Sequence, residues 1–243
     1  MIEFAKLDGE EKDIIFTKIS NKKIQEHILE KVFWVCFILD YLFNRCKWEN
    51  ALVFKGGTSL SKSFNLIERF SEDIDLILDW RLINYNSENL WAERSKTQQD
   101  KLNKNIVSDT STFLQEIFIP SIKEDLQQEL REDIRIELDK NDSDGCTVNV
   151  YYPNIYSNTY IKPVIRLEIG PLAEWMPSHD REITPYVTKE YPNLFKNPKT
   201  TVKTIDVERT FWEKLLYYIK LHLIQKMAKY LIDIQGIIMT FIV

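Results

Sequence analysis

A Gly-Gly turn at Gly56-Gly57 and an Asp73-Ile74-Asp75 run close behind it constrain this chain more than any other feature. Ala51 to Lys55 reads as a strand that ends at the glycines, and Ser59 to Ile67 as the helix that follows. Asp73 to Leu78 reads as the next strand. Residues i and i+2 of a strand share a face. Asp73, Asp75 and Asp79 therefore project to one side, and Ile74, Leu76 and Leu78 to the other. Neighbouring carboxylates repel, and a sheet face gives them no compensation unless a cation does. Mg²⁺ is a hard ion that takes carboxylate oxygens together with substrate phosphates. A glycine turn opening a helix offers backbone N–H groups to a phosphate. Asp73 and Asp75 are thus the candidate metal pair. Gly56, Gly57, Thr58, Ser59 and Lys62 are candidate nucleotide-binding residues, with Arg69 beside them. An ordinary strand-to-helix turn capped by Thr58 or Ser59 also fits the first motif. It does not account for both motifs in this order.

Two later stretches carry further candidates. In Arg166-Leu167-Glu168-Ile169, read as part of a strand from Val164 to Ile169, Arg166 and Glu168 share a face. Glu168 is a candidate third metal carboxylate; the alternative is a surface ion pair of small energetic value. In Glu208-Arg209-Thr210-Phe211-Trp212-Glu213-Lys214, read as helix, Thr210 and Lys214 lie at i,i+4, as do Arg209 and Glu213. Lys214 is placed to hold a triphosphate, or it is one of the solvated charges of an amphipathic helix.

The rest of the chain supplies a frame of helices and strands. Asp8 with Glu11 has the form of a capping box. Apolar residues at helical spacing predict a long helix from Asn21 to Asn44 and another from Thr112 to Glu132, with Phe113, Ile117, Ile122 and Leu126 as the stripe of the second. Arg135 to Leu138 and Thr147 to Tyr152 read as strands, joined by an Asn/Asp/Gly-rich turn from Lys140 to Gly145. Trp80 to Thr112 reads as a polar connection and Leu172 to Thr204 as a proline-rich loop. A final helix starts near Asp206.

Composition excludes several classes. Hydrophobic residues make up 44% and aromatics 12%, enough for a packed core. The net charge of −5 gives no global attraction to nucleic acid; RNA would need a local patch such as Lys203, Arg209, Lys214, Lys220, Lys226 and Lys229. Cys36, Cys46 and Cys146 lack metal-ligand spacing and read as reduced thiols of a cytoplasmic protein. No secretory signal is evident, and no apolar run reaches the length of a membrane span. Neither a Walker lysine after the glycines nor kinase loops are present, which removes the support for a kinase.

The segments Gly56-Gly57-Thr58-Ser59-Leu60, Arg69-Phe70-Ser71-Glu72-Asp73-Ile74-Asp75-Leu76 and Glu208-Arg209-Thr210-Phe211-Trp212-Glu213-Lys214-Leu215 together resemble the successive signatures of AbiEii/AbiGii-type nucleotidyltransferase toxins, the group that includes MenT-like toxins. The resemblance runs from about Lys31 to Asp233. Its first two motifs recur across polymerase β-like nucleotidyltransferases; the Arg-Thr-Phe-Trp-Glu-Lys helix points to this family. It implies an α+β fold, a mixed sheet flanked by helices, with a nucleotidyltransferase domain over 1–204 and a helical part over 205–243. It implies catalytic roles for Asp73, Asp75 and Lys214, and for Asp233 as the late helical aspartate. It further implies Mg²⁺, an NTP donor, an RNA acceptor such as tRNA, and a cognate antitoxin. The run Lys229-Tyr230-Leu231-Ile232-Asp233 departs from the family pattern by lacking an Arg-His pair. The apolar tail from Ile237 to Val243 suggests a truncated or frameshifted product. The alternative expectation is therefore a catalytically impaired nucleotide-binding or interaction protein of the same fold.

Overall fold

The computed structural model describes residues 1–20, 24–67, 73–156, 162–172 and 176–241, with the side chains of 89, 91, 225 and 227–241 left aside. The chain divides into two units, Met1–Ile205 and Asp206–Val243.

The first unit begins with α1 (Ile2–Ala5) and α2 (Gly9–Ile19). The expected capping box opens α2: Asp8 accepts from the Glu11 N–H at 2.8 Å, and Glu11 accepts in return from the Asp8 N–H at 3.3 Å. Helix α3 (Glu26–Asn44) starts later than the apolar spacing predicts, with Gln25 as its N-cap; residues 21–23 lie outside the described residues. Phe33, Trp34, Phe37 and Leu39 on α3 are buried, because this helix is covered on most of its circumference. Strand β1 (Leu52–Lys55) runs into α4 (Gly56–Lys62). Helix α4 is shorter than expected: beyond Lys62 the chain leaves helical geometry, and Asn65 takes a left-handed φ of 53°. Strand β2 (Asp73–Leu78) has the bounds read from its alternation.

The polar region after β2 is the first correction. Instead of a connection, it holds α5 (Ser87–Trp91) and α6 (Lys96–Phe113). Ser95 and Gln98 form a second capping box, and only Ile106, Thr110 and Phe113 of α6 are buried. One narrow buried stripe suffices for a helix whose other faces meet water. A π-helical turn, Leu114–Phe118, then leads into α7 (Ile119–Leu130). That wider turn shifts the periodicity. Leu114 and Phe118 are inside, while Ile117, expected in the stripe, is exposed.

Strands β3 (Arg135–Leu138), β4 (Thr147–Tyr151) and β5 (Val164–Gly170) follow as predicted, within a residue at their ends. The proline-rich region is the second correction. It contains β6 (Ser178–Ile183), α8 (Val187–Glu190) and β7 (Thr200–Ile205). Strand β6 is a polar sheet edge, exposed at its four central residues. In β7 the buried face is Thr200, Val202 and Thr204, so threonine takes positions that an apolar alternation would fill.

Among the described residues, seven strands form one mixed sheet in the order β3-β4-β5-β2-β1-β7-β6. Strand β2 pairs antiparallel with β1 and parallel with β5, and β1 pairs parallel with β7. One face is apolar: Phe54, Ile74, Leu76, Val148 and Leu167 join the main core with α3 and α7. The other face has only a small apolar cluster of Val53, Ile77 and Ile205. This second face carries Asp73 and Asp75. The second unit consists of α9 (Val207–Phe241). Among the described residues, no helix is long and apolar enough to cross a membrane.

Candidate functional site

Strand register sets two rows of side chains across the polar face of the sheet. Thr147 on β4 faces Glu168 on β5, Glu168 faces Asp75 on β2, and Asp75 faces Lys55 on β1. One pleat away, Asn149 faces Arg166, and Arg166 faces Asp73. The structure thus brings Asp73, Asp75 and Glu168 together, although Glu168 lies far along the chain from the other two.

The glycine turn is locked to this arrangement. Gly56 has a φ of +80°, a conformation that L side chains rarely adopt, and a Cβ there would overlap the Asp75 carboxylate. The absence of a side chain is what admits Asp75. Thr58, fully buried, donates its hydroxyl to the Asp73 backbone carbonyl and so ties α4 to the start of β2. Ser59, also fully buried, donates to the Gly56 carbonyl at 2.8 Å. Both hydroxyls hold the turn to its neighbours. The Lys62 ammonium lies 4.0 Å above the Tyr186 ring, where it is buried without a hydrogen-bond partner. Arg69 lies outside the described residues.

Charge at the site is unbalanced. Burial, then the Asp75 and Asp73 carboxylates, hold the Glu168 carboxyl above the usual range, against the Arg166 guanidinium. Arg166 is 3.6 Å from Asp73 and 3.5 Å from both Glu168 and Asp139. A cleft of about 470 Å³ opens here, with Lys55, Asp75, Asp139, Asp142, Arg166 and Glu168 in its wall.

Asp139 and Asp142 belong to the β3–β4 turn, which the sequence marks only as a turn. Asp142 accepts from the N–H groups of Asp144 at 3.0 Å and Cys146 at 2.9 Å. Gly145 has a φ of +63°, and a Cβ there would overlap the Ser111 side chain of α6. Strand pairing brings this turn to the cleft: the Asp139 N–H donates to Thr147, the neighbour of Glu168. The density of aspartates between Asp139 and Asp144 was the one available signal.

On α9, Arg209 donates to Glu213 at 3.0 Å, the i,i+4 pair expected there. Lys214 is exposed on the same helix. Asp233 is also on α9, with its side chain outside the description.

Hard oxygen donors fit a hard cation. Among the described residues, no group of three His, Cys, Asp or Glu side chains is disposed to hold a metal ion by itself. Mg²⁺ does not require one, because it is usually held by one or two carboxylates together with substrate phosphates.

Residues 38–235 match the family model for the nucleotidyl transferase AbiEii toxin of type IV toxin–antitoxin systems. No curated protein matches the chain. Among solved structures, the nucleotidyltransferase toxin MenT4 of Mycobacterium tuberculosis H37Rv is similar, at 16% identity and a TM-score of 0.47. That likeness covers 87% of this chain and 59% of MenT4, so the chain spans about three-fifths of that protein's length.

Proposed function

This chain belongs to the AbiEii nucleotidyltransferase toxin family, and on that footing we propose that it transfers a nucleoside monophosphate from an NTP to an acceptor hydroxyl, with RNA such as tRNA as the acceptor. The observation that carries the reading is the seat of Asp75. It lies in the space left by Gly56, beside Asp73 on one strand face and across from Glu168 on the next strand.

Asp73 and Asp75 would hold Mg²⁺, with Glu168 as the third carboxylate. Bound there, Mg²⁺ supplies charge stabilisation at the α-phosphate and at the attacking and leaving oxygens. The chain's own residues do the positioning. An acidic cleft repels a free triphosphate, so the nucleotide enters accompanied by its cations. Gly56 and Gly57 let backbone approach the phosphates. Thr58 and Ser59 support that turn through their backbone bonds. Lys214 is proposed to hold the β- and γ-phosphates. Lys62 and Arg69 are proposed as further cations at the phosphates, and Asp233 as the catalytic late aspartate that the family resemblance implies. The acceptor hydroxyl attacks the α-phosphorus, the bond to the bridging oxygen breaks, and pyrophosphate leaves. A cognate antitoxin is the expected protein partner of a type IV system.

The test uses NTPs labelled in turn at the α- and γ-phosphate, incubated with the protein, Mg²⁺ and total RNA. Nucleotidyl transfer places the α-label on RNA and the γ-label in pyrophosphate. γ-Label on the acceptor would instead identify a kinase.

A further inference from the structure

Arg166 does something that its neighbours do not require. Two other arginines are each hydrogen-bonded to a nearby carboxylate: Arg81 bonds Asp79 at 2.8 Å and Arg209 bonds Glu213 at 3.0 Å. Arg166 instead stands at 3.5 to 3.6 Å from three carboxylates on three strands or their ends, Asp73, Glu168 and Asp139. At those separations it attracts all three and forms a well-made bond with none. Its Nε is buried without a hydrogen-bond partner, so no bond at that atom fixes the guanidinium in place. Two of the three carboxylates, Asp73 and Glu168, are proposed metal oxygens. The third is not: Asp139 closes β3, is the most buried of the three, and accepts from the Asn141 N–H at 3.0 Å.

We infer that Arg166 is a built-in counter-cation that competes with a divalent ion for Asp73 and Glu168, and that Asp139 is the carboxylate that draws it aside. The inference rests on the metal reading of Asp73, Asp75 and Glu168. A guanidinium and a divalent ion are attracted to the same oxygens, and like charges so close would repel the ion if the guanidinium stayed. Withdrawal toward Asp139 needs no large movement, because Asp139 already lies at the distance of the other two. The site thereby keeps its carboxylates compensated and yet open to exchange. Arg166 and Asp139 are positioning residues, acting through the metal carboxylates.

The test is Mn²⁺ binding to the full chain without nucleotide, read by the electron paramagnetic resonance of free Mn²⁺. Arg166→Met removes the competitor and should tighten Mn²⁺ by about tenfold. Asp139→Asn removes the retreat and should weaken it by a similar factor. Were the lost negative charge alone responsible, it would weaken binding equally without Arg166, so the double variant decides. In the Arg166→Met background, Asp139→Asn should have almost no effect, because its action passes through Arg166. Additive effects would reduce Asp139 to a distant charge and overturn the inference. Unchanged or weaker binding in Arg166→Met would overturn it as well. If Arg166→Met fails to fold, as shown by circular dichroism, Arg166→Gln is read in the same way. Wild-type binding that Asp73→Ala abolishes shows that the metal reading itself holds. Absence of binding in the wild type removes both.

Discussion

Asp75 and Gly56 form the tightest interlock of the site. The carboxylate occupies the volume where any other residue at position 56 would carry its Cβ, and the backbone there has a φ of +80°. Gly56→Ala therefore faces two costs, a left-handed backbone on an L residue and a displaced carboxylate. Backbone strain of this kind costs about 1–3 kcal/mol. Chemical denaturation should show a loss of that order, and nucleotidyl transfer should fall with it because Asp75 must move. A Gly56→Ala variant with wild-type stability and transfer would show that the interlock has no function. At this scale the sequence was informative where chemistry is local. A pair at i,i+2 on a strand can only face one way, so Asp73 and Asp75 were legible. Asp139 was not, because its place beside Arg166 depends on β3 and β4 being laid against β5. The seat of Lys62 over Tyr186 was equally hidden, since lysine after a glycine turn suggests phosphate and the ring lies far along the chain.

The elements behind the sheet carry a buried ionisable group with a different task. Glu30 of α3 is 1% exposed and accepts from the N–H groups of Ile155 at 2.8 Å and Tyr156 at 3.4 Å, so it clasps the segment after β4 to α3. Burial pushes its carboxyl up to about 7, partly offset by those N–H groups and by the Lys12 ammonium. A raised folded-state value means that the fold prefers the protonated form. The associated stability is full below the ordinary value of 4.5 and is lost as pH rises through about 7. Burial lowers the Lys12 ammonium, the charged neighbour, from its ordinary value. The loss is on the order of 3 kcal/mol. Urea unfolding of wild type and Glu30→Gln at about pH 5 and about pH 8 checks the sign. Wild type should lose stability relative to the variant as pH rises. Parallel pH profiles would mean that Glu30 titrates as it does in the unfolded chain. The elements also show why pattern reading stops short. Strand β2 was legible to the residue because carboxylates and aliphatics alternate. Helix α6 is not legible because its buried stripe is only Ile106, Thr110 and Phe113, and β7 is not because its buried positions include Thr200 and Thr204. In both cases the pairing or packing partner, not the segment itself, decides the state.

For the whole molecule the question is whether Lys214 acts on the nucleotide. Strand carboxylates lie on the first unit and Lys214 on the second, α9. If the chain binds NTP, Mg²⁺ with NTP should raise the melting temperature. Ligand at about 100 times its dissociation constant adds about 2.7 kcal/mol to the folded state. Lys214→Ala should shrink that shift, whereas an unchanged shift with unchanged turnover would make α9 a structural helix. The central claim is nucleotidyl transfer at the β2 carboxylates, and transfer of α-labelled NMP to RNA by wild type and Asp75→Ala tests it most directly. The account predicts label on RNA with wild type and a loss of about 100-fold or more with Asp75→Ala, a direct ligand change being more severe than an outer-shell one. Equal label transfer by a folded Asp75→Ala protein would contradict it.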